Sequence, residues 1–144
     1  MLLLEILRAL LQAPRWKAKY VGELPSGIKE VIRETFESFS ITFFEDLDYE
    51  LLKEVCLSKG FDVMEKESRR EEIYDQFGNL IETRVIEWKY PFRIVDSTKE
   101  IILFADPADT RKIYILPLFV KHKSIQIRED VLSVIDKYMK EKHD

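Results

Sequence analysis

Leu80-Ile81-Glu82-Thr83-Arg84-Val85-Ile86-Glu87-Trp88-Lys89-Tyr90-Pro91-Phe92 is the stretch whose reading sets the fold of this chain. Its Thr, Val, Ile, Trp and Tyr residues favour a strand. Successive side chains on a strand alternate, so Glu87 and Lys89 share one side while Ile86, Trp88 and Tyr90 take the other. A carboxylate and an ammonium on one face, backed by bulky apolar residues, can hold a divalent metal and stabilise phosphate charge. The same geometry also describes an ordinary solvated face.

Just upstream, Asp75-Gln76-Phe77-Gly78 has Asp at the first and Gly at the fourth position of a type I turn, and a left-handed Gly78 makes this a bulged hairpin. Two long strands, roughly 61–74 and 80–95, are therefore predicted to pair. With Asp75 across from Asn79, Ile73 falls opposite Ile81, Arg69 opposite Val85, Glu67 opposite Glu87 and Glu65 opposite Lys89. Cβ atoms about 5 Å apart across such a pair suit two carboxylates on one ion. A two-residue Gly78-Asn79 turn would instead pair Arg70 with Glu87 and leave no acidic pair. The first register is preferred because the second sets Ile73 against Arg84. Like charges directly opposite are destabilising unless a cation lies between them. Glu65, Glu67 and Glu87 beside Lys89 thus read either as a metal site or as a wet face neutralised by Lys66, Lys89 and Arg69.

Upstream, 1–12 is apolar almost all round and stops before Pro14, which predicts a short helix packed into the core or against a second copy. It falls well short of the roughly 20 residues a bilayer span needs, and no basic region precedes it. Arg15, Lys17 and Lys19 alternate with Trp16, Ala18 and Tyr20, the pattern of a half-buried strand with a basic outer side. After Pro25-Ser26-Gly27, the spacing of Ile28, Val31, Ile32, Thr35, Phe36 and Phe39 predicts an amphipathic helix capped by Ser26. Residues 40–45 read as a strand burying Ile41, Phe43 and Phe44. Asp46 or Asp48 then caps a helix through Leu47, Leu51, Leu52, Val55 and Cys56, closed by Gly60. Downstream, 99–105 and 112–120 are expected as further strands. They are separated by an Asp106-Pro107-Ala108-Asp109 turn, and Pro117 puts the second at an edge or bulge. Residues 128–142 form a C-terminal helix with Val131, Ile135, Tyr138 and Met139 inward.

The 144 residues are the size of one domain, and no linker divides them, so 1–144 is read as a single unit. Charged residues reach 35%, with many Glu, Lys and Ile and only four Gly, a composition that suits a thermophilic source. One Cys and two His are too few for the usual zinc sites and fit a reducing, cytoplasmic setting. Cys56 shares the apolar helix face and reads as a buried small hydrophobe. A net charge of −4 argues against a general nucleic-acid coat protein. There is no Gly-rich phosphate loop and no Gly-x-Ser-x-Gly elbow. Asp106 and Asp109 read as turn formers, and His122 as part of a solvated basic loop.

The Val85-Ile86-Glu87-Trp88-Lys89 string resembles the Glu-x-Lys half-motif of the PD-(D/E)XK nuclease superfamily, and the helix over 48–60 before the hairpin is similar to the start of that core. The composition also resembles that of small proteins encoded by viruses of hot-spring archaea. The nuclease resemblance implies a metal-dependent enzyme hydrolysing DNA phosphodiester bonds with Mg2+ or Mn2+. Glu87 would be metal ligand or base activator, and Lys89 would stabilise phosphate or nucleophile. No Pro-Asp precedes the string, so the second carboxylate is chosen by the hairpin register: Glu67 opposite Glu87, with Glu65 beside them. Arg15, Lys17, Lys19, Arg69 and Arg70 would contact the DNA backbone. The alternative is a non-enzymatic interaction or regulatory module, dimeric through the leucine-rich 2–11 helix or an edge strand, with the charged hairpin as a solvated face. Either way the expected fold is α+β: an antiparallel sheet with a long central hairpin over about 61–95, flanking helices and a C-terminal helix across one face.

Overall fold

The computed structural model describes residues 2–12, 17–35, 38–64, 67–88, 92–98, 100–116, 118–120 and 124–143, and of 67–69, 86–88, 118–120 and 124–126 the backbone alone. The chain opens with α1 (Leu2–Leu11), which buries Leu3, Ile6, Leu7 and Leu10, one face at helical spacing. Next come β1 (Ala18–Lys19), β2 (Ile28–Thr35) and β3 (Ser38–Phe43), then α2 (Tyr49–Ser58) and β4 (Asp62–Met64). A ribbon of β5 (Glu67–Tyr74) and β6 (Leu80–Trp88) follows, then β7 (Arg93–Val95), β8 (Ile101–Ala105) and β9 (Lys112–Ile115). A small hairpin, β10 (Leu118–Val120) with β11 (Ser124–Gln126), leads into α3 (Glu129–His143). The protein is α+β: among the described residues seven strands form one antiparallel sheet in the order β1-β2-β3-β9-β8-β7-β4, and three helices accompany it. No helix among the described residues is long and apolar enough to cross a membrane.

The strands alternate between two environments. Val31, Ile41, Ile113, Leu103 and Ala105 join the buried faces of all three helices in one apolar cluster. On the other face, Lys112 bonds Glu34 at 3.3 Å, Ser40 donates to Glu34 at 2.8 Å, and Tyr114 donates to Asp106 at 2.7 Å while stacking on Phe104. Arg33 faces the helices, where Nη1 donates to the carbonyls of Leu10 at 3.4 Å and Leu11 at 3.0 Å. A buried cation is thus spent on the unsatisfied last carbonyls of α1.

Asp48, as expected, caps α2 by accepting from the Leu51 N–H. The helix ends in a Schellman motif: Gly60 adopts φ +88°, its N–H donates to Leu57, and the Phe61 N–H donates to Cys56. At the other end of the chain Arg128 donates to Asp130 in the first turn of α3 and, at 2.8 Å, to Asp96 beyond β7. This ties the helix start to the β7–β8 turn.

Several expectations are corrected. The helix expected over 28–39 is not what its described residues form: 28–35 lie in β2 and 38–39 in β3, which pair antiparallel with a register shift between Ile28 and Glu30 that inserts one extra residue, and Phe36 falls outside the described residues. That bulge spaces the buried Ile28 and Val31 three apart, the interval of a helix face, although the chain is extended. Phe44, expected to be buried, lies just past β3 and is 62% exposed. Of the strand expected over 15–20, the described residues form β1, and Arg15 and Trp16 fall outside the described residues. The single strand expected over 112–120 is two elements; β9 ends at Ile115 and sits inside the sheet between β3 and β8, so it offers no edge, and Pro117 lies outside the described residues. The hairpin anticipated over about 61–95 is present, but its base, β4 with β7, forms the margin of the large sheet rather than its centre.

Candidate interaction site

Beyond that base, β5 and β6 pair with each other as a separate two-stranded sheet. The turn at its tip forms as the sequence indicates. Gly78 takes φ +83° and donates its N–H to Asp75, and the Asp75 N–H donates to Asn79. Asp75 Oδ1 accepts from the N–H groups of Phe77 and Asn79, both at 2.9 Å. The bond from the Asn79 amide, foremost among these, holds the Asp75 carboxyl below its ordinary range. Nearby, the Tyr74 hydroxyl donates to Glu72, and this bond pushes the phenol pKa up.

The register departs from expectation one residue past the turn. Tyr74 pairs with Leu80, but Ile73 pairs with Glu82, so Ile81 is an extra residue and every later pair slips by one. Glu87 therefore stands opposite Ser68, and Glu67 opposite Trp88. Directly opposed positions share a face of a ribbon, so this register assigns positions 67 and 87 to opposite faces. The cross-strand pairing that selected Glu67 as a second carboxylate is thus corrected: the turn is the expected one, and the bulge at Ile81 breaks the count. Glu65 and Lys89 fall outside the described residues. Among the described residues no group of three or more His, Cys, Asp or Glu side chains is placed to hold a metal ion.

Among the described residues the strand pairing does not bring the basic positions side by side. Lys17 lies in a turn at φ +57° and is exposed, while Lys19 on β1 bonds Glu30 at 3.3 Å. Arg69 stands opposite Ile86, and the exposed Arg70 opposite Val85. Asp106 and Asp109 are turn formers as expected: Asp106 Oδ1 accepts from the N–H groups of Ala108 and Asp109, and Asp109 accepts from Arg111. Cys56 is buried, and desolvation pushes its thiol pKa up to about 12. Every buried side-chain N or O among the described residues has a hydrogen-bond partner.

What the ribbon does present is apolar surface. Tyr74, Phe77, Leu80, Ile81 and Val85 are 52–79% exposed, and they are five of the nine large apolar side chains standing exposed among the described residues. As a sequence, this stretch reads as a metal site or as a solvated charged face, and neither reading draws attention to these apolar side chains. The available signal was the doublets Leu80-Ile81 and Val85-Ile86 on β6, which break the alternation a one-sided core requires, set against a β5 with five charged residues in eight. The chain as a whole matches no family model, no curated protein and no solved structure.

Proposed function

We propose that this protein is a non-enzymatic interaction module whose β5–β6 ribbon is the partner-binding element. One observation carries the reading: among the described residues, a two-stranded ribbon hydrogen-bonded to no third strand holds five of the nine exposed large apolar side chains. Such a ribbon is marginal on its own in water and leaves a strand edge free on each side. A partner strand laid along an edge would satisfy the free backbone groups and cover Ile81 and Val85, the recognition mode called β-augmentation. The hydrolase reading rests on the Glu87-Trp88-Lys89 string; it draws no support from the register, which sets Glu87 against Ser68.

The test is site-specific photo-cross-linking in the full chain. Benzoylphenylalanine in place of Phe77 is expected to form protein adducts in the cells that make the protein. The same probe in place of Leu57, an exposed residue on α2, is expected to form few. Equal labelling at the two positions, or none at either, would remove the ribbon as the binding element.

A further inference from the structure

The ribbon's two edges are not equivalent, and the difference indicates what one of them binds. A strand that pairs antiparallel with its own copy about a two-fold axis opposes residue i with residue S − i, where S is fixed by the register. Opposed residues must share a face, and faces alternate along a strand, so S is even and one residue always meets itself on the axis. Few registers are then available, and each can be judged by the charges it brings together.

For β5, Glu67-Ser68-Arg69-Arg70-Glu71-Glu72-Ile73-Tyr74, an axis at Arg69, Arg70, Glu71 or Glu72 sets two identical charges against each other. Like charges directly opposite are destabilising, and charged edges are a known defence against edge-to-edge pairing. An axis at Arg70 or Glu71 also brings opposite charges alongside, Arg69 with Glu71 or Arg70 with Glu72, but each of these four axes keeps a like-charge pair on the axis itself. In β6 an axis at Glu82 or Arg84 fails for the same reason. An axis at Thr83, between them, does the reverse. Glu82 then faces the partner's Arg84, Arg84 faces the partner's Glu82, and Ile81 comes alongside the partner's Val85. All five residues from Ile81 to Val85 are exposed. Within one chain Arg84 already bonds Glu82, Nε to Oε1 at 3.1 Å and Nη2 to Oε2 at 3.2 Å. Two such pairs across the axis make an alternating ring of four charges on one face, with apolar pairs on the other. The bulge at Ile81 in each copy bounds the paired segment at both ends.

We propose that β6 pairs antiparallel with β6 of a second copy of this chain about a two-fold axis at Thr83, joining the two ribbons into a four-stranded sheet. This rests on the ribbon being a partner-binding element and names its partner. It uses neither the α1 helix, whose apolar stripe is buried within the chain, nor β9, which lies inside the sheet.

Charge exchange tests it by sedimentation equilibrium of the full-length protein. Wild type is expected to dimerise. Glu82→Arg and Arg84→Glu each bring two like-charge pairs into the interface and are expected to raise the dimer dissociation constant by about tenfold or more. Mixing the two variants restores opposite charges at all four positions, so a heterodimer should form where neither variant self-associates. The double variant E82R/R84E should regain a homodimer. Thr83→Cys should give a disulfide-linked dimer under mild oxidation, the native Cys56 being buried. Recovery on mixing excludes misfolding as the cause of the single-variant loss. A wild type that stays monomeric into the millimolar range, or single variants that dimerise as well as wild type, would overturn self-pairing. In those cases adducts from position 77 to other proteins would leave the ribbon as a binding element for a different partner, and their absence would remove that reading as well.

Discussion

Replacing Asp96 by Ala removes the acceptor on which the end of β7 is fastened to the start of α3. Oδ1 accepts from the Thr98 hydroxyl at 2.6 Å and from the N–H groups of Thr98 at 2.9 Å and Glu100 at 3.1 Å, while Oδ2 takes Arg128 Nη1 at 2.8 Å. The Arg128 and Asp96 side chains are only 14% and 13% exposed, so this ion pair is shielded from solvent more than a surface bridge would be. Arg128 keeps Asp130 in the variant, which limits the loss. A charge-assisted bond plus a turn-fixing set of neutral ones amounts to about 2–3 kcal/mol. For a chain near 150 residues that corresponds to a fall of about 4–12 °C in Tm. The Thr98 hydroxyl, followed by Arg128, holds the Asp96 carboxyl well below the usual carboxylate range. A carboxylate with a depressed folded pKa contributes its stability above the unfolded value of about 4 and loses it as pH falls through the folded value. The Tm gap between wild type and Asp96→Asn should therefore be full at pH 7 and narrow steadily below pH about 4. Thermal unfolding by circular dichroism across that range reads it directly. A gap unchanged between neutral and acid pH, or a Tm for Asp96→Ala within about 1 °C of wild type, would refute the assignment.

Four further outcomes follow from the same structure. Leu7→Ala, at a fully buried position of α1, should cost about 2–5 kcal/mol in denaturant unfolding. Gly60→Ala meets no atom within 4 Å but must hold φ +88°, so calorimetry should show a loss of about 1 kcal/mol from backbone strain alone. Cys56 should resist a thiol reagent at pH 8 in the folded chain and react at once in denaturant, since burial pushes its pKa up to about 12. Linear and circular DNA incubated with magnesium or manganese should be cleaved no faster by wild type than by Glu87→Gln; a selective loss in the variant would reinstate the strand as catalytic and overturn the interaction reading.

Fold class was legible because its signals are local and strong. The α2 segment carried an apolar stripe between Asp48 and Gly60, and both caps formed. The hairpin tip was equally plain, since Asp75 and Gly78 sit where a bulged type I turn requires them. Both main misreadings come from one kind of event, an extra residue in a strand. At Lys29 it turned a period of two into an apparent spacing of three and imitated a helix. At Ile81 it moved position 87 from position 67 to Ser68 and removed the register by which Glu67 was chosen. A bulge is a property of how two strands pair, and nothing in either strand alone announces it. The candidate site was visible as a stretch, 80–92, but its character was not. Whether Ile81 and Val85 are covered depends on how many strands join the ribbon, which is a property of topology.

The position of β9 has a consequence for how the molecule is made. It lies between β3 and β8, so the β2–β3 hairpin, completed by Phe43, gains its neighbour only when residues 112–115 are available. At typical rates of about 5–20 residues per second, the roughly 70 intervening residues take several seconds to synthesise. During that interval the edge of β3, with Phe39, Ile41 and Phe43 along it, has no strand to pair with from its own chain. The last inner strand thus acts as a keystone: the sheet closes late and through long-range contacts, the kind of closure that is intrinsically slow and leaves a strand edge open until β9 arrives.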